Sequence, residues 1–190
     1  MAQYAFTLTL SGVTVDTTGL EDALFTAGCD DALVCYYGNS VYLEFDREAS
    51  SLDAAIETAI ADIESAEISM QVASVDSTLV GLSDIAELAG LTRQAVALLK
   101  DGSRGKGNFP APVQRLSGNS PLWDWASVAR WLKDNNRLGH DPELCEKAKT
   151  LCKWNLVLQN CANENVEEIQ TLTQKLLTRR KEKQPTEASC

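Results

Sequence analysis

The first 75 residues switch repeatedly between a hydrophobic period of two and one of 3.6, and no other feature of the chain restricts its fold as tightly. In YAFTLTL, Tyr4, Phe6, Leu8 and Leu10 share one face, with Ala5, Thr7 and Thr9 on the other, which predicts a half-buried strand. Thr18 and Glu21 have capping-box spacing ahead of Leu20, Leu24 and Phe25, so a short helix is expected to end at Gly28. ALVCYY and VYLEF read as two strands joined at Gly38-Asn39-Ser40, a hairpin signal. Ser50 and Asp53 open a longer helix in which Leu52, Ala55, Ile56, Ala59, Ile60 and Ile63 keep 3-4 spacing. A last strand is expected where Ile68, Met70 and Val72 alternate with Ser69, Gln71 and Ala73.

The order β-α-β-β-α-β is the ferredoxin-like arrangement, in which two helices cover a four-stranded antiparallel sheet, and it assigns residues 1–76 to one domain. An arrangement used by so many proteins names no function, so charge is the better guide. The chain carries a net −10, unevenly spread. Residues 1–78 hold fourteen acids against one base, Arg47, whereas residues 79–140 hold eight bases against five acids. Such a surplus repels itself, and it serves either solubility or docking of a basic partner. The docking reading selects Asp30, Asp31, Glu44 and Asp46 as the acidic face. Adjacent Asp30 and Asp31 also have the makings of an acid/base pair, but no nucleophile pattern accompanies them, and they are read as solvated.

The basic segment opens with LSDIAELAGLTRQAVALLK, residues 82–100. Ser83 is expected to cap one helix with Ile85 and Ala86 turned inward, and Gly90 suits the left-handed step of a tight turn. Thr92 would cap a second helix whose Val96 and Leu99 face the core, leaving Arg93, Gln94, Ala97 and Lys100 to solvent. After it, DGSRGKGNFPAPVQRL reads as a basic loop running into an extended segment, SGNS as a turn, PLW as the return, and WDWASVARWL as an amphipathic helix. The GSRGKG stretch lacks the Gly-Lys-Ser/Thr of a phosphate-binding loop. Trp123, Trp125 and Trp131 are expected in the core.

Taken together, the DIAELAGLTRQAV core, FPAPV, Trp123 and VARWL resemble the excisionase-like and MerR-like winged helix-turn-helix domains over roughly residues 79–135. The Gly-rich loop at 101–108 is longer than the pattern requires. The resemblance implies binding to double-stranded DNA, with Thr92, Arg93, Gln94 and Ala97 reading bases. Phosphate contacts would come from Ser83, Lys100, Arg104, Lys106 and Arg115.

Beyond Pro142, Leu144, Ala148, Leu151 and Leu158 form an apolar stripe interrupted by Asn155, and Val166, Ile169, Leu172 and Leu176 form another. These predict a helical hairpin or short coiled coil over 142–181, burying its stripes in the winged domain or across a homodimer, the dimer being favoured. Residues 182–190 read as a polar tail. The six cysteines have no C-x-x-C pair, and His140 is the only histidine, so neither a metal site nor a cofactor is expected. Cys145 and Cys152, seven apart, have the spacing for one helical face, and the thiols are read as reduced and mostly buried. The expectation is therefore a cytoplasmic α+β protein without membrane or enzymatic character, with a winged domain at 79–138. Its function would be that of a DNA-binding transcriptional regulator, a repressor or antitoxin-like autoregulator. The alternative is an interaction adaptor or nucleic-acid mimic acting through the acidic domain.

Overall fold

The computed structural model describes residues 1–103, 107–137 and 141–182. The fold is mixed α+β, with a four-stranded antiparallel sheet, a two-stranded sheet and several helices. Strand β1 (Ala2–Ser11), helix α1 (Leu20–Thr26), strands β2 (Ala32–Tyr37) and β3 (Ser40–Ala49), helix α2 (Leu52–Glu64) and strand β4 (Gln71–Asp76) follow one another, and the sheet order is β2-β3-β1-β4. Phe6, Leu8 and Leu10 pair in the core with Phe45, Leu43 and the inward residues of β4, and the rings of Phe6 and Phe45 stack at 5.1 Å. Leu20 and Leu24 of α1 and Ala55, Ile56, Ala59 and Ile63 of α2 complete the same cluster.

Several local expectations need correction. Helix α1 is preceded by Gly19 in the left-handed region with no side-chain cap, so Thr18 does not form the capping box, and Phe25 is exposed. The cap of α2 is Ser51, not Ser50, its side chain accepting from the Ala54 N–H. Strand β4 starts later than the alternation suggested. Its pairing skips Ala73, since Thr9 faces Ser74 while Leu10 faces Val72. This bulge turns both Val72 and Val75 inward, which a strict period of two cannot do.

The second part begins with β5 (Leu79–Val80), which pairs with β6 (Trp123–Asp124). Helices α3 (Leu82–Leu88), α4 (Arg93–Lys100) and α5 (Trp125–Asp134) pack around Val80, Ile85, Val96, Leu99, Trp123, Trp125 and Leu132. Helix α6 (Leu144–Cys161) then joins the two cores. Its Leu144, Cys145 and Ala148 belong to the second, and its Leu158, Leu151 and Trp154 lie against the first. Its stripe is thus buried within the chain rather than across a dimer. Helix α7 (Val166–Glu182) has no buried residue. Among the described residues no helix is long and apolar enough to cross a membrane.

Candidate functional site

The candidate site is built on the turn between α3 and α4, where Arg93 and Lys100 are exposed. Helix α3 starts at Gly81, whose N–H donates to Asp84 Oδ2 at 2.7 Å; Ser83, expected as its cap, is instead an exposed residue of the first turn. The chain leaves α3 through Gly90 at φ +63°, a left-handed conformation that a Cβ would strain, and the Leu91 N–H returns to the Ala86 carbonyl at 2.7 Å. Thr92 then caps α4, its hydroxyl accepting from the Ala95 N–H at 3.1 Å. With Val96 and Leu99 fully packed, the opposite side of α4 is fixed outward: Thr92, Arg93 and Gln94 are exposed, and Ala97 is half-buried one turn on. Lys100 is exposed and pairs with Asp101.

A short β-ribbon follows α4 in the chain. Val113 and Gln114 donate to the Leu122 carbonyl, and the Leu122 N–H donates to Gln114 at 3.0 Å. Phe109 anchors the approach to it, lying edge-on to Trp131 at 5.0 Å and to Trp123 at 6.5 Å, while Trp123 Nε1 donates to the Pro110 carbonyl. Trp123 and Trp125 are core residues, as expected, and Trp131 packs on the same cluster. Arg115 stands exposed at the ribbon's turn with φ +54°. Arg104 and Lys106 lie outside the described residues.

The four acids selected as one face do not form one. Glu44 and Asp46 project from the side of the sheet opposite the helices, where Glu48, Leu33 and Tyr37 are also exposed. Asp30 is exposed before β2, and Asp31 turns to the helix side, where it holds Arg47. Arg47 is only 7% exposed, on the apolar face of β3 with Phe45 and Ala49. Its Nε and Nη2 donate to the two Asp31 oxygens at 2.7 and 2.9 Å, and Nη1 donates to Asp62 at 2.8 Å and to Thr58 at 3.2 Å. Nη2 also reaches the Gly28 carbonyl, and the guanidinium lies 5.0 Å from the Phe45 ring. Burial works against its charge, but the bonds to Asp31 and Asp62 outweigh it and hold the pKa above the usual arginine value. Sequence reasoning overlooked this cluster, although Arg47 keeps the parity of Val41, Leu43 and Phe45.

Asn155 was the other oversight. Its carboxamide accepts from the Val75 N–H at 3.1 Å and donates to the Val75 carbonyl, so one side chain of α6 satisfies a residue on the free edge of β4. Nearby, Asp53 of α2 receives Lys153 and, at 2.6 Å, Trp154 Nε1. The hydrogen bond from Lys153 chiefly holds the Asp53 carboxyl below its ordinary value, with burial acting in the opposite sense.

Burial, then the Asp62 charge, pushes Cys29 up to about 11, which keeps it a thiol. Cys145 and Cys152 sit about 10 Å apart along α6, too far for a disulfide. Among the described residues no three His, Cys, Asp or Glu side chains are grouped to hold a metal ion. A cleft of about 860 Å³ runs from Tyr4 and Phe6 of β1 to Asp84, Glu87 and Leu88 of α3, with Trp125 in its wall. In comparisons with known families, curated proteins and solved structures, the chain matches none.

Proposed function

We propose that this protein is a sequence-specific DNA-binding regulator whose reading element is the start of α4. The observation that carries the reading is the pairing of a capped helix start with outward Arg93 and Gln94, on a helix whose other side is locked by Val96 and Leu99. A guanidinium can pair bidentately with guanine and a carboxamide with adenine, and the first turn of a second helix is where such a motif meets the major groove. The Gly90 turn, the β-ribbon after α4 and the packing of Phe109 on α5 support a winged helix-turn-helix over 79–138. Lys100 and Arg115 are exposed cations within that unit and would contact phosphates, with Ser83 at the start of α3. The strand order β2-β3-β1-β4, with α1 and α2 in one core, supports a ferredoxin-like assignment for residues 1–76. Its acid surplus would hold that domain off DNA.

The test is fluorescence anisotropy on duplexes tiled across the protein's own promoter, over a salt series, for wild type and Arg93→Ala/Gln94→Ala. One duplex is expected to win, and the double variant to lose that preference at ~1–3 kcal/mol per base contact while non-specific binding remains. Equal, weak binding to every duplex, unchanged in the variant, would remove promoter autoregulation and leave a wider DNA screen to decide.

A further inference from the structure

Two exposed surfaces of this chain complement one another. On the sheet face away from the helices, Tyr42, Glu44, Asp46 and Glu48 of β3 share one side with Leu33, Cys35 and Tyr37 of β2, because the register sets Leu33 against Glu44 and Cys35 against Tyr42. Leu33 and Tyr37 are 63% and 83% exposed. Asp76 adds a further carboxylate through its pairing with Thr7. No cation offsets these charges on the sheet, since Arg47, the only base in residues 1–78, points to the opposite side. Such a face suits an apolar, cationic occupant.

Helix α7 has that chemistry. Ile169, Leu172 and Leu176 follow helical spacing with Leu177 beside them, and the three leucines are 44–50% exposed. Arg179 and Arg180 come three and four residues after Leu176, so the stripe continues into two cations. From Ile169 to Arg180 the stripe is about 17 Å long, within the ~33 Å of the ten-residue β3.

We propose that α7 docks on the open sheet face of a second copy of the chain, each copy giving one helix and receiving one. Both contacts are then identical, as a closed two-fold dimer requires. The leucines cover Leu33 and Tyr37, and Arg179 and Arg180 meet Glu44 and Asp46. This does not rest on DNA recognition, although it would pair two reading helices.

Sedimentation equilibrium of the full chain tests it, with far-UV circular dichroism to verify folding. The wild type is expected to dimerise. Glu44→Lys/Asp46→Lys and Arg179→Glu/Arg180→Glu should each weaken self-association ~10-fold or more, since paired charges become like charges. Mixing these two variants should restore a 1:1 dimer, because each then offers the other a complementary helix and sheet. A wild type that stays monomeric, whether or not it captures a Lys/Arg-rich peptide, overturns the proposal. So does a sheet variant that dimerises as well as wild type, the sign of α7 pairing with α7, and so does a mixture that fails to associate.

Discussion

Replacing Arg47 by methionine is the most exacting check on the acidic half of the molecule. The substitution keeps an apolar stem against Phe45 but removes five hydrogen bonds, to Asp31 twice, Asp62, Thr58 and Gly28. Breaking a buried ion pair from one side typically costs ~3–5 kcal/mol, because the abandoned charge keeps its desolvation cost. Here the Asp31 and Asp62 side chains are 28% and 35% exposed, so water can reach them once the cation is gone. The lower end, about 3 kcal/mol, is therefore expected, which corresponds to a fall in Tm of ~6–12 °C for a chain of this size. Urea unfolding should be followed by far-UV circular dichroism and by tryptophan fluorescence. All four tryptophans lie from Trp123 onward, and Trp154 alone packs on the N-terminal core. A loss below ~1 kcal/mol with unchanged m-value would refute the claim that Arg47 organises this core.

Asn155→Leu leaves the Val75 N–H and carbonyl unpaired inside the α6 contact, at ~1–3 kcal/mol for each group left unsatisfied; hydrogen exchange at the Val75 amide should accelerate, and an unchanged rate would count against the edge-capping role. The Asp53 bonds to Lys153 and Trp154 should make stability pH-dependent in a defined direction. Because the folded carboxyl lies below its ordinary value, its contribution is present above about pH 4 and disappears as pH falls through the lowered value. Asp53 is half exposed, so solvent screening keeps this under ~1 kcal/mol. Wild type and Asp53→Asn should accordingly differ at pH 7, and the gap should narrow as pH falls below the ordinary carboxylate range in urea titrations, with a gap that stays constant through acid as the contrary result.

Much of the N-terminal half is written locally. Alternating residues such as Phe6, Leu8 and Leu10, and the 3-4 spacing of Leu52, Ala55, Ile56 and Ala59, can bury their apolar sides in only one element type each. Element order followed, whereas boundaries did not. Adjacent serines both have cap chemistry, and Ser51 rather than Ser50 caps α2 because it is the one three residues before the Ala54 N–H, while one bulged residue at Ala73 moves the inward parity of β4. The α4 start was legible for the same local reason, since Gly90, Thr92, Val96 and Leu99 lie within ten residues. Its use on DNA is a proposal that geometry supports and binding must decide.

What only the tertiary structure decided were the partners of polar groups far apart in the chain. Asp31 and Asp62 looked like members of a solvated surplus, yet both are committed to Arg47, because a cation on the apolar face of a strand must carry its counter-charges with it. Asn155 looked like a flaw in an apolar stripe, yet it closes the edge of β4 eighty residues away. Hydrophobic period belongs to a short run of residues and is visible in it. The pairing of buried charge and edge amide is settled only when separate segments meet, because desolvation cost depends on what the fold places alongside.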